Sequence, residues 1–255
     1  MREVLERLSE GELSVSEAEA ALSGYATTDA GRFDAARETR RGVPEAILAE
    51  GKTPDETGSL AVTAVETTGR ALVTRASEAH RDAVVAAVAD SHPEADVTVD
   101  ERSRVVVVHA PEFEAPDLDA TVGLVSGGTS DAVPLGEADA VASEMGADVE
   151  RVEDVGVASI ARLLDCVDDL RACDVVVVAA GREGALPTVA AGLLDAPVIG
   201  LPVSTGYGHG GEGEAAMLGM LQSCTVLTAV NVDAGFVAGA QAGLIARRIA
   251  AARAE

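Results

Sequence analysis

Apolar residues recur at helical spacing through Val4, Leu5, Leu8 and Leu13, and the pattern resumes at Ser16-Glu17-Ala18, so the chain opens on helices. From Thr28 to Lys52 the pattern turns polar and arginine-rich, with Arg32, Arg37, Arg40 and Arg41 ahead of Gly42-Val43-Pro44-Glu45. Short apolar runs follow at 70–75, 96–100 and 103–110, with a helical pattern over 77–91 between the first two. Runs of that length around an amphipathic helix predict a small N-terminal α+β domain over residues 1–114, with a helical arm. The stretch 111–119, rich in Pro, Glu and Asp, reads as a linker.

Over residues 119–255 the rhythm changes. Apolar strand-like runs at 121–125, 174–180, 197–201 and 225–232, with a weaker one at 148–152, alternate with helical stretches near 130–146, 157–171, 183–194, 212–223 and 235–253. This alternation predicts an α/β domain, a parallel sheet covered by helices on both faces in three αβα layers. Ligands of such sheets bind beyond the carboxyl ends of the strands, and those ends carry the densest glycine and polar clusters of this sequence.

Composition sharpens the picture. Hydrophobic residues make up 47% of the chain but aromatics only 2%, and there is no tryptophan, so packing rests on Ala, Val, Leu and Ile. The 43 acidic residues against 19 basic ones give a formal charge of −24, and Lys52 is the sole lysine. Such a surface repels nucleic acid and fits a halophilic, salt-adapted protein. The three cysteines, Cys166, Cys173 and Cys224, are an odd number without metal-type spacing, which points to reduced thiols in a cytoplasmic protein. No run approaches the roughly 20 apolar residues of a membrane span, so no membrane partner is expected.

Five segments carry candidate chemistry. Ser126-Gly127-Gly128-Thr129-Ser130-Asp131 ends the first strand of the second domain. Its glycines allow close backbone approach and its hydroxyls and helix start favour a phosphate, although a plain turn capped by Ser130 or Asp131 explains it as well. Gly181-Arg182-Glu183 places a charged pair just past a buried strand; the bland alternative is a capped helix with a surface ion pair. Ser204-Thr205-Gly206-Tyr207, continuing through His209, reads as a substrate loop or as a flexible connection. Asn231 and Asp233 either bond ligand hydroxyls or cap the last helix. The arginine run 32–41 is either a helix laced with Asp34, Glu38 and Glu45 pairs or an arm reaching for an anion. Spacing alone makes Cys224 a structural residue, since it ends a helix rather than beginning one.

The order of these segments resembles a known family. Residues 120–252 resemble the phosphoribosylaminoimidazole carboxylase domain of purine biosynthesis, a flavodoxin-like fold, in Ser126–Asp131, Ala179–Pro187, Pro197–Val203 and Ala238–Ala246. That family has a Ser-Ala-His-Arg motif after its second strand, where this chain has Asp154-Val155-Gly156-Val157-Ala158, and a Met-Pro pair where this chain has Ser223-Cys224. Both departures are similar to LarB proteins of nickel-pincer nucleotide biosynthesis. So are Arg32-Phe33-Asp34, Arg40-Arg41-Gly42-Val43-Pro44-Glu45 and Gly51-Lys52-Thr53.

The resemblance implies a reaction on nicotinic acid adenine dinucleotide and carbon dioxide that yields AMP and pyridinium-3,5-biscarboxylic acid mononucleotide. In it Cys224 matches the nucleophile that adds to the pyridinium, and Glu183 an acidic group that handles protons. Substrate contacts are then expected at Ser126 to Asp131, Asp154, Gly181, Arg182, Ser204 to Tyr207, Asn231 and Asp233. Magnesium is the expected assisting ion, with ligands unassigned and no organic cofactor, and the expected assembly is a homo-oligomer such as an octamer. The competing functions are a purine-pathway carboxylase or mutase and a non-catalytic nucleotide-binding subunit.

Overall fold

The computed structural model describes residues 2–13, 15–206 and 208–254. The chain divides into two compact units, Met1–Glu114 and Ala115–Glu255.

Unit 1 begins with helices α1 (Arg2–Glu10) and α2 (Val15–Ser23), the hairpin β1 (Ala26–Thr28) and β2 (Gly31–Phe33), the short α3 (Arg37–Arg41) and β3 (Ile47–Leu48). It continues through α4 (Pro54–Thr68), β4 (Arg70–Thr74), α5 (Glu78–Ser91), β5 (Asp96–Asp100) and β6 (Val105–His109). The sheet order is β3-β4-β6-β5, parallel at β3–β4 and antiparallel elsewhere. Both long helices start on capping boxes: Thr53 with Glu56 before α4, and Ser77 with His80 before α5. Leu60, Ala61, Ala64 and Val65 of α4 and Val84 and Val88 of α5 then meet Ala71, Val73, Val106 and Val108 of the sheet in one core.

The arginine run is no free arm. Its first residues lie in β2, two of its four arginines are paired, Arg37 with Glu45 and Arg40 with Asp34, and Arg70 from β4 reaches Glu38, each at 2.7 Å. The laced-helix alternative is therefore the one the fold realises, shortened to the five residues of α3 by the left-handed cap at Gly42.

Unit 2 alternates throughout: β7 (Thr121–Ser126), α6 (Ala132–Glu144), β8 (Asp148–Val152), α7 (Ile160–Asp165), α8 (Val167–Arg171) and β9 (Val175–Ala180). It ends with α9 (Ala185–Leu193), β10 (Val198–Pro202), α10 (Glu214–Leu221), β11 (Thr228–Ala229) and α11 (Gly235–Arg253). All five strands are parallel in the order β11-β10-β9-β7-β8, which is the flavodoxin-like order. Period-two alternation explains the unbroken apolar run of β9. Val175, Val177 and Ala179 pack towards α6 and α11, while Val176, Val178 and Ala180 pack towards α9 and α10.

Two expected elements differ. The helix expected over 157–171 is a 3-10 turn, α7 and α8, interrupted at Cys166. The strand expected over 225–232 shrinks to Thr228–Ala229, an edge strand paired only with β10. Ahead of it Thr225 is held away from the sheet, its hydroxyl donating to Thr188 O (3.4 Å) and its N–H to Ser223 Oγ (3.2 Å).

On one face of the sheet α6 and α11 approach backbone to backbone. Gly239 makes this possible, since a Cβ there would lie 2.3 Å from Ala138 O; Gly235 repeats the approach to Pro134 O one turn earlier, and Gly243 lies against the Met145 side chain one turn later. Arg253 closes the far end of α11 on the Asp119 carbonyl and, at 3.0 Å, on Asp174. Burial would raise the Asp174 carboxyl, but Arg253 and the Thr121 N–H overrule it and hold it below its ordinary range. Among the described residues no helix is long and apolar enough to cross a membrane.

Candidate active site

Strand β7 lies between β8 and β9, so its neighbours' connections diverge and a crevice opens at the carboxyl ends of the strands. Four loops meet there around a cavity of about 330 Å³: 127–131 after β7, 156–162 after β8, 180–186 after β9, and Thr205 after β10. Two glycines let the loops touch. A Cβ at Gly156 would sit 2.6 Å from Gly127 O, and one at Gly181 would sit 2.3 Å from Thr205 O.

Asp131 organises the first loop from within. It is 3% exposed, and its carboxylate accepts the Gly128 N–H (2.9 Å) and the hydroxyls of Ser130 (3.4 Å) and Thr205 (3.5 Å). Burial pushes its carboxyl above the ordinary range, against the pull of those donors and of the Gly127 N–H. The second loop hangs on Ser126, whose Oγ accepts the Asp154 N–H at 3.2 Å and whose carbonyl accepts the Val155 N–H at 3.1 Å. Asp154 (φ 59°) and Arg182 (φ 53°) both adopt the left-handed conformation that non-glycine residues rarely hold, one in each loop flanking the crevice.

Arg162 was not marked by its sequence pattern, yet it lines the cavity. Its Nη1 pairs with Asp154 at 2.9 Å and its Nη2 donates to Gly156 O at 3.4 Å, while its Nε is buried without a partner. The one available signal was an arginine two residues into a helix behind a strand-end loop, in a chain poor in cations. Arg182 and Glu183 face the same space ahead of α9, and Gly184 is left-handed (φ +65°), with the α10 backbone at Ala216 standing 2.5 Å from where a Cβ would sit.

Gly127, Gly128, Ser130, Asp131, Gly181, Arg182, Glu183 and Thr205 are thus brought together. Ser126 lies one layer beneath, and Asp154 acts through Arg162. Thr129 is exposed at the start of the turn that leads to α6. Asp233 holds the β10 loop, accepting the Ser204 N–H at 2.9 Å, whereas Asn231 bends its own backbone by accepting the Val232 N–H at 2.9 Å. Gly206 rests against the Arg182 backbone, and His209 is exposed outside the cavity lining. Tyr207 lies outside the described residues.

The cysteines separate sharply. Cys173 is buried, its Sγ contacts Asp169 O at 3.5 Å, and burial followed by the nearby acids Glu150, Asp174 and Asp169 pushes its thiol up to about 11. Cys166 is half-buried at the break between α7 and α8. Cys224 is exposed on the segment between α10 and β11, outside the cavity lining.

A magnesium ion here would draw on substrate phosphates and water as well as on protein oxygens. Among the described residues no group of three His, Cys, Asp or Glu side chains could hold a metal, and Asp131 spends its oxygens on the loop. The chemistry of the cavity falls to backbone N–H groups, hydroxyls, two arginines and Glu183.

Comparison with known proteins agrees with this architecture. Residues 25–110 match the LarB/PurE-like N-terminal domain, and residues 121–255 match the AIR carboxylase domain. An uncharacterized protein of Methanocaldococcus jannaschii is 33% identical over 255 residues, covering 97% of each chain. With both domains present in this order, the chain belongs to the LarB family of carboxylase-type proteins, an N-terminal LarB domain followed by an AIR carboxylase domain.

Proposed function

We propose that the protein carboxylates nicotinic acid adenine dinucleotide and hydrolyses its phosphoanhydride, giving pyridinium-3,5-biscarboxylic acid mononucleotide and AMP. The observation that carries this reading is the glycine floor after β8. Gly156 presses on Gly127 O where a Cβ would be 2.6 Å away, so that position excludes a side chain. No histidine is among the residues lining the cavity. A purine-type carboxylase needs its proton-transfer histidine in that stretch, and this crevice has no room for one at Gly156.

In this reading the Ser126–Asp131 loop, Arg162 and Arg182 receive phosphate, where arginine's planar fork is well matched. A thiolate adds to the pyridinium ring, forming a C–S bond and moving an electron pair onto the ring nitrogen. The enamine carbon so created attacks carbon dioxide and forms the new C–C bond. Its proton leaves to Glu183, the thiolate departs, and the pyridinium is restored. Water then splits the phosphoanhydride.

Cys224 supplies the thiolate. A cavity of about 330 Å³ is at the small end of ligand pockets and holds one half of a dinucleotide, so the other half extends beyond it. Cys224 stands on a surface with three large exposed apolar residues, Leu218 (48%), Leu221 (64%) and Val226 (94%), which a second copy of the chain would cover in a homo-oligomer.

The test is mass spectrometry of products after incubation with the dinucleotide, bicarbonate and magnesium in high salt, beside Cys224→Ala. AMP and a doubly carboxylated mononucleotide from the wild type, and neither from the variant, are expected. Intact dinucleotide in the presence of folded wild-type protein would overturn the assignment.

A further inference from the structure

Unit 1 contains a second cavity, about 230 Å³, for which the proposed reaction has no use. Its floor is apolar, made by the buried Phe33, Ile47 and Leu60. Its rim is charged, carrying Arg32 from β2, Glu45 ahead of β3, and Lys52 just before α4.

The rim is set by the fold. The Lys52 N–H donates to Ala49 O at 3.0 Å, and the Lys52 carbonyl is bonded to His80 Nε2 at 2.8 Å. The next residue, Thr53, caps α4. The only lysine of the chain is therefore held by its backbone at the cavity edge. The Arg32 guanidinium lies over the Tyr25 ring, 5.1 Å from its centroid.

These two cations lack the ion pairs that several neighbours hold. Neighbouring Arg37, Arg40 and Arg70 each hold a carboxylate at 2.7 Å. Among the described residues, neither Arg32 nor Lys52 has a carboxylate within ion-pair distance, in a chain with 43 acidic residues. Glu45, the rim's own acid, is already neutralised by Arg37, and Glu56 is turned to the Thr53 N–H at 2.7 Å. Two positive charges without an ion pair thus stand over an apolar floor, Lys52 with only the longer-range field of Glu56, in a space too small for a dinucleotide.

We infer that this cavity binds a small monocyclic carboxylate, its ring on Phe33, Ile47 and Leu60 and its carboxylate between Arg32 and Lys52. The floor selects against a bare inorganic anion, and the two cations select against a neutral ring. The site is independent of the reaction proposed for unit 2.

The experiment is calorimetric titration of the full chain with benzoate, nicotinate and inorganic phosphate at fixed ionic strength. Saturable binding of a ring carboxylate is expected, weakened about tenfold to a hundredfold by Arg32→Gln and by Lys52→Gln. Arg41→Gln, an exposed arginine outside the cavity lining, should leave it unchanged. Cys224→Ala should also leave it unchanged; wild-type protein that binds the ring acid yet leaves the dinucleotide intact would sink the proposed reaction and not this site. No saturable binding, binding indifferent to Arg32 and Lys52, or phosphate binding as tightly as the ring acids would each overturn the inference.

Discussion

In unit 2 the cavity follows from topology: β7 has neighbours on both sides, four loops converge at the strand ends, and glycines bring their backbones into contact. In unit 1 the cavity follows from side chains: a hairpin arginine and a lysine beside a helix cap stand over the sheet core. The first kind is made largely of main chain, so substitutions harm it by adding atoms. The second is made of cations, so substitutions harm it by removing charge while the fold survives.

The sharpest way to break this contrast is Gly239→Leu. Its side chain would enter the Ala138 backbone, and overpacking of this kind costs about 3 kcal/mol or more. Chemical unfolding should show unit 2 lost at lower denaturant with unit 1 intact; one shared, unshifted transition would refute the separation. Gly156→His is the next strongest, closing the loop onto Gly127 O and costing about 1–3 kcal/mol together with product formation, read by unfolding and by mass spectrometry.

Asp131→Ala should cost about 1–3 kcal/mol by leaving the part-buried Gly128 N–H unpaired, whereas Asp131→Asn keeps an acceptor. Because the folded Asp131 carboxyl is raised, its favourable contribution exists below the unfolded value and is lost as pH rises through the folded one. Asp131→Asn should therefore gain on the wild type as pH rises above the ordinary aspartate range. A constant difference across that range would count against the burial argument. The effect of Arg253→Ala is smaller, since the Arg253 side chain is solvated even though its partner Asp174 is not. Asp174 is held low, so this contribution is present above the unfolded carboxyl value and vanishes as pH falls through the folded one. Smallest and most diffuse is salt: added sodium chloride should raise the melting temperature by screening a net charge of −24.

Much of unit 2 was legible because parallel strands buried on both faces must read as apolar runs, as Val175–Ala180 does, and because ligand loops must follow them. Asp131, Arg182 and Glu183 were visible for that positional reason. Arg162 was not, since nothing local distinguishes a cavity-facing arginine from a surface one; its role comes from Asp154 and Gly156, contributed by another turn of chain. The β1–β2 hairpin was hidden too, because its three-residue strands carry only Ala26 and Phe33 into the core. The short β11 likewise escaped local pattern, since Thr225 draws the start of the 225–232 run away from the sheet while Thr228 and Ala229 stay paired with β10.

The glycine ladder of α11 has a dynamical consequence. Helices locked at backbone contact leave no slack for side-chain repacking, so α6 and α11 move as one plate. Breathing of unit 2 is then one-sided: a ligand that needs entry room gains it from α9 and α10, where Arg182, Gly184 and Glu212 already sit in left-handed backbone and small torsional changes swing whole loops.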